Sequence, residues 1–235
     1  MMSFVFAALA VSSANAADLP KYWNVHIDTV ADRATYDDMH KQEYAIQRDV
    51  LAAHNVPRGP QWKFSTSDGV YFSLRGRASL AEFEKPSSTP ADVLKEIQNK
   101  EAPLEPKIHG SLREHHSEVW QTDNDVTFLP SVAATKFIRY RVDTIKPSKS
   151  DECGEVQKAI RAAAEKKGIS VVAFYGAYGD GRYHYLFLSH DAINLASLVG
   201  ADVMQRWKDC IVTSNEADAK ERTDLTLTDP AKWIQ

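Results

Sequence analysis

Between Tyr22 and Val30 apolar and polar side chains alternate, with Trp23, Val25 and Ile27 on one face and Asn24, His26 and Asp28 on the other. A period of two is the signature of a half-buried strand. From Tyr36 to Ala53 the period lengthens: Tyr36, Met39, Tyr44, Ile46, Val50 and Leu51 recur near helical intervals, and Asp32 or Thr35 is placed to cap the start. Pro57, Gly59 and Pro60 end that pattern. Two aromatic-rich runs, Gln61 to Thr66 and Val70 to Arg75, flank Ser67-Asp68-Gly69 and predict a hairpin, because Asp-Gly favours the backbone angles of a tight turn. A short helical stretch around Ala78 to Glu84 and a helix over Asp92 to Lys100 follow, and Val126 to Leu129 is the predicted closing strand. The charged stretch Glu101 to Asp125 has prolines and no period, so it reads as a connecting arm, an interface segment or a pocket lid.

The same order then returns. Phe137 to Thr144 alternates Ile138, Tyr140 and Val142 against Arg139, Arg141 and Asp143, and Glu152 to Lys167 is an alanine-rich helix stopped at Gly168. Ser170 to Tyr178 and Arg182 to Ser189 flank Asp180-Gly181 as a second hairpin. His190 to Val199 and Ala201 to Ala219 read as helices broken at Gly200, and Asp224 to Thr228 as a terminal strand. In register, HIDTV at 26–30 meets RVDTI at 141–145, and SDG at 67–69 meets GDG at 179–181. The repeat predicts an internal duplication.

Two strand-helix-strand-strand-helix-strand units in this order resemble the dimeric α+β barrel superfamily. The resemblance implies an α+β fold of duplicated ferredoxin-like units, antiparallel sheets facing one another and helices outside. The units fall at 17–130, connector included, and 131–235, after a leader segment at 1–16. The superfamily holds small monooxygenases, haem enzymes, stress-associated proteins and modules without known catalysis, so the likeness selects no function. In a duplicated chain an intramolecular sheet contact replaces the dimer contact, which leaves homo-oligomers open.

Composition narrows the partners. With a net charge of -4 and basic residues spread along the chain, no stripe is available to neutralise a nucleic-acid backbone. The apolar run Phe4 to Val11 followed by Ala14-Asn15-Ala16 is suited to export and cleavage, giving a periplasmic or secreted protein whose mature part has no transmembrane segment. In that compartment Cys153 and Cys210 are free to pair as a structural disulfide, to stay as free thiols or to act as a redox pair, although no CxxC spacing favours the last.

Alternation also assigns candidates. If Trp23, Val25 and Ile27 cover the helices, then Asn24, His26, Asp28, Arg139, Arg141 and Asp143 line the barrel interior, where the arginines would hold a small anion or pair with the aspartates. Tyr71, Tyr183, His184 and Tyr185 lie on the third strands as pocket or core aromatics, with the inward one unfixed by sequence. His109, His115 and His116 are the candidate ligands for a transition metal, and His184, His115 or His116 for haem, although no zinc spacing or CxxCH selects either cofactor. There is no GxSxG, HExxH, P-loop or Rossmann glycine pattern. The expectation is a small organic or anionic ligand-binding or assembly module, with a small-substrate monooxygenase or haem-associated oxidoreductase as the alternative. A cofactor-independent oxygenase would need an apolar pocket with a histidine or carboxylate set for proton removal.

Overall fold

A computed structural model describes residues 19–85, 88–129 and 137–223. The leader segment, the strand expected at 224–228 and the tail beyond it lie outside the described residues. The first unit runs β1 (Tyr22–Val30), α1 (Arg33–Ala53), β2 (Gln61–Thr66), β3 (Val70–Arg77), α2 (Ala91–Glu101), α3 (Glu105–Ser111) and β4 (Leu112–Thr122). The second repeats it as β5 (Phe137–Ile145), α4 (Ser150–Lys166), β6 (Ser170–Gly176), β7 (Arg182–Ser189), α5 (Leu195–Val199), α6 (Ala201–Cys210) and β8 (Ile211–Glu221). Among the described residues no helix is long and apolar enough to cross a membrane.

Local chemistry explains the boundaries. Asp32 caps α1 by accepting from the Thr35 amide at 3.1 Å. Gly69 turns the first hairpin at φ 93°, a conformation that disfavours any residue with a Cβ. Gly200, at φ 85°, separates α5 from α6.

The eight strands close into an antiparallel barrel in the order β1-β3-β2-β8-β5-β7-β6-β4. The helices pack outside it, and the architecture is an α+β barrel of duplicated ferredoxin-like units. Short seams join the units: Phe64↔Glu221 to Thr66↔Ala219 between β2 and β8, and Trp120↔Gly176 to Thr122↔Phe174 between β4 and β6. Register irregularities at Thr29/Val30 and Thr144/Ile145 directly follow the Asp28-Thr29 and Asp143-Thr144 pairs, at equivalent points of the two units.

The closing strands correct the sequence reading. The stretch from Glu101 is not an irregular arm: it holds α3 and β4. Val126 to Leu129 contributes only a single bridge, Phe128 to Val171. Likewise the helix expected to reach Ala219 stops at Cys210, and β8 follows. Both strands are polar and exposed along their first halves, so neither carries an apolar alternation.

The barrel also inverts the expected faces. Trp23, Val25, Ile27, Ile138 and Tyr140 join Trp62, Phe64, Phe72, Trp120 and Phe174 in one interior cluster drawn from both units, with Val142 packed against it. Asn24, His26, Asp28, Arg139, Arg141 and Asp143 therefore face the helices. Alternation fixes which residues share a face; it does not say which face is enclosed. A closed eight-stranded barrel is filled by side chains, and the bulky apolar rows fill it here.

Outside the barrel the two units differ. Under α4 and α6 a continuous apolar layer joins Val156, Ile160, Ala164, Trp207, Tyr185 and Phe187. Within it Arg141 donates to both carboxylate oxygens of Asp143 at 2.9 Å, pairs with Glu216, and lies 4.0 Å over the Trp207 ring, whose Nε1 donates to Asp143 at 2.8 Å. Under α1 and α2 the apolar contacts split into two patches, Val30/Tyr36/Tyr44/Tyr71 and Val50/Leu51/Val93/Ile97. Removing one partner of a buried ion pair leaves the other uncompensated. We therefore expect D143A to lower the unfolding free energy in urea by about 3 kcal/mol, and D218N, which breaks the exposed contact to Arg139, to cost less than about 1 kcal/mol.

Candidate functional site

The gap between the two apolar patches is polar, and the strand register organises it. On the outward face of the first sheet, Asn24, Arg75 and Gln61 stand side by side, then His26, Ser73 and Lys63, then Asp28, Tyr71 and Ser65. The first rung opens into a cleft of about 750 Å³, walled by Gln47 and Leu51 of α1, Leu94, Ile97, Gln98 and Glu101 of α2, and the loop with Arg58 and Pro60. The third rung meets a small enclosed cavity of about 20 Å³ beside Tyr36, His40, Lys63 and Arg222. That is room for about one water.

Glu101, at the C-terminal end of α2, is the most distinctive group of the cleft. Burial pushes its carboxyl up to about 7, helped by the charges of Glu43 and Glu105 and opposed by a 2.7 Å hydrogen bond from Gln47 and the charge of Arg75. A carboxyl that titrates near neutrality at the wall of a cleft suits general acid-base work. Gln47 also reaches Glu43 at 3.4 Å, and Glu43 holds His40 Nδ1. His40 Nε2 is buried without a partner and belongs to a residue on the wall of the small cavity.

His26 lies between the two spaces. Burial depresses its pKa, with Arg75 and His115 adding to the effect, so the ring is neutral near pH 7. Asn24 Nδ2 approaches its Nε2 at 3.4 Å and Ser117 Oγ its Nδ1 at 2.9 Å. Lys63 is buried with its ammonium 3.4 Å from the centre of the Tyr44 ring, and burial drives its pKa well down, Arg75 adding to the shift. Tyr36 donates to Asp28, which also meets His115, and Tyr71 donates to Asp37 at 2.8 Å.

The residues singled out from the sequence thus separate into groups. Asn24 and Asp28 line the cleft and the small cavity, with His26 between them, although the space they face is under α1 and not in the barrel. Arg139, Arg141 and Asp143 sit in the other unit and are engaged by Asp218, by each other and by Glu216. Tyr183 and Tyr185 also face outward, Tyr185 accepting from Gln157 at 2.9 Å beneath α4. His184 points into the barrel, stacked on Trp120 at 3.9 Å with Nδ1 2.9 Å from the Tyr140 hydroxyl.

The three connector histidines do not converge. His109 is exposed on α3, His115 stacks on His26 on the outer face of β4, and His116 faces the other way, toward Glu118. Among the described residues no group of three or more His, Cys, Asp or Glu is placed to hold a metal ion. Haem, which the superfamily resemblance raises, needs an axial donor beside a slot for the ring. The cleft walls include no His, Cys, Met or Tyr, His184 is sealed by Trp120 and Tyr140, and the layer under α4 is filled. No axial donor for haem therefore lines the cleft, and no step below is routed through it. Cys153 and Cys210 are buried free thiols, with Cys153 Sγ 3.5 Å from the Cys210 carbonyl oxygen.

Sequence reasoning missed Glu101, Gln47, Lys63 and Arg75. Lys63 carried a faint signal, a lysine between Trp62 and Phe64 in an otherwise apolar run. Glu101 carried none, since a glutamate at a helix end is ordinary.

No protein-family model matches the chain, and no curated protein matches its sequence. Solved structures do match its shape. A candidate monooxygenase from Fusobacterium nucleatum superposes with a TM-score of 0.57 at 14% identity, covering 86% of this chain and 92% of the other. A candidate monooxygenase from Lactobacillus acidophilus gives 0.56 at 7% identity over 88% and 95%. An anthrone oxidase-like protein gives 0.52 at 10% identity over 90% and 97%. At such identities the likeness is one of fold.

His184 yields a test of the barrel interior. Burial, with the charge of Arg182 beside it, depresses its pKa from 6.5 to about 3. Between those values the unfolded chain holds the extra proton, so the ring lowers stability as pH falls from 6.5 toward 3 and has no such effect above 6.5. In H184F the loss of unfolding free energy between pH 7 and pH 4 should shrink by roughly 3 kcal/mol. Urea melts at the two pH values measure it.

Proposed function

We propose that the chain is a small-substrate monooxygenase working in the cleft under α1 and α2, with Glu101 as the base that takes the substrate's acidic proton. The observation that carries this reading is the Glu101 carboxyl, held near neutrality in a cleft that also offers Leu51, Leu94 and Ile97 as an apolar wall. The shared fold of two candidate monooxygenases and an anthrone oxidase-like protein supports it.

In the proposed reaction dioxygen is the oxidant. Glu101 removes a proton from an activated C–H or O–H, and the resulting carbanion or phenolate supplies electrons to dioxygen. One oxygen atom enters the substrate in place of two hydrogens, and the other leaves as water with those hydrogens. The apolar wall keeps bulk water from the reacting carbon, and the neighbouring Arg75 stabilises the anion as it forms.

The test is oxygen uptake by the purified chain with anthrone- and hydroquinone-type substrates. Because the base must be ionised, the rate should rise with pH through about 7. E101Q should lower it by about 100-fold or more and abolish that rise. An unchanged rate in E101Q rejects the role of Glu101. Saturable ligand binding with no oxygen uptake by any substrate returns the protein to a binding module.

A further inference from the structure

We infer that the cleft selects organic anions, with Arg75 and Arg77 together holding a carboxylate whose apolar body lies against Leu51, Leu94 and Ile97. This names the ligand class of the site proposed above and rests on that reading only for the location.

The argument begins with how arginines are used elsewhere in the fold. Arg139 meets Asp218, Arg141 meets Asp143 and Glu216, Arg182 meets Glu118 and Asp180, and Arg222 meets Asp37. The guanidinium of Arg75, an exposed residue, has no hydrogen bond or ion pair among the described residues. Arg77 donates only to the Gly76 carbonyl, at 3.0 Å. Both guanidiniums line the cleft.

They are two residues apart on β3, and so on the same face, with Cα atoms about 6.8 Å apart. Two planar forks at that spacing can converge on one carboxylate, each offering paired N–H donors. The opposite wall sets Leu51, Leu94 and Ile97 among Gln47, Gln98 and Glu101, so a ligand with a charged head and a hydrocarbon or aromatic body can meet the arginines on one side and this apolar strip on the other.

Glu101 adds a linked signal. Arg75 holds the Glu101 carboxyl down, so an anion that neutralises Arg75 lets its affinity for protons rise. Binding near pH 7 should therefore take up protons.

The experiment is calorimetric titration of the full chain with benzoate and with its neutral isostere benzamide, in buffers of different ionisation enthalpy. Benzoate should bind at least about tenfold more tightly than benzamide, weaken as salt is raised, and draw protons from the buffer. The R75Q/R77Q variant, altered at side chains outside the apolar core, should lose about tenfold in benzoate affinity with an unchanged circular dichroism spectrum. R75K/R77K, which keeps the charge and loses the forks, should fall between. Equal binding of benzamide, or full benzoate affinity in R75Q/R77Q, overturns the inference. Benzoate binding by the unaltered chain without oxygen uptake from any substrate sinks the catalytic reading and supports this one. Oxygen uptake from neutral phenols with no preference for benzoate does the reverse.

Discussion

Three indoles fill much of the barrel interior, and each must find an acceptor for its N–H in a space without bulk water. Trp23 donates to Thr122 at 2.9 Å, Trp62 to Glu221 at 3.1 Å and Trp120 to Glu118 at 2.6 Å. All three acceptors stand on β4 or β8, the closing strands of the two units. Those strands therefore seal the seams and supply the acceptors that the core indoles need. With the interior occupied, the polar rows of β1 and β5 have only the helix-covered side left to face.

From there the two units diverge. Beneath α4 and α6 the outward row is taken up by an ion pair, an indole and a packed apolar layer. Beneath α1 and α2 the corresponding row meets two separate apolar patches with titratable groups between them. Duplication gave the chain two similar layers, and it keeps one closed while the other carries the cleft. Burial is the first cause of the shifts of Glu101, His26 and Lys63, and the charge of Arg75 adds to it at His26 and Lys63 and opposes it at Glu101.

The sequence carried the repeat, the hairpins and most of the helices, because these depend on local periodicity and turn chemistry. Ser67-Asp68-Gly69 and Gly200 mark backbone conformations that few other residues adopt readily. It did not carry β4 or β8, whose polar, exposed first halves show no apolar alternation. Nor could it tell inside from outside, since exchanging the faces of β1 preserves its alternation. For the same reason Asn24, His26 and Asp28 were recognisable as a polar row while the space they line was not. Glu101 and Arg75 gain their character from neighbours on other elements, which no window of sequence contains.

The bond from Trp62 to Glu221 spans 159 residues, and its neighbour Arg222, itself buried, reaches back to Asp37 on α1 at 2.8 Å. The cleft belongs to the first unit by its walls, but the sheet beneath it is closed by β8, the last strand among the described residues. During synthesis the N-terminal half must wait, with its aromatic rows exposed, for the C-terminal end to emerge. Until Ile211–Glu221 has been made, the edge of β2 beside the cleft has no strand to pair with.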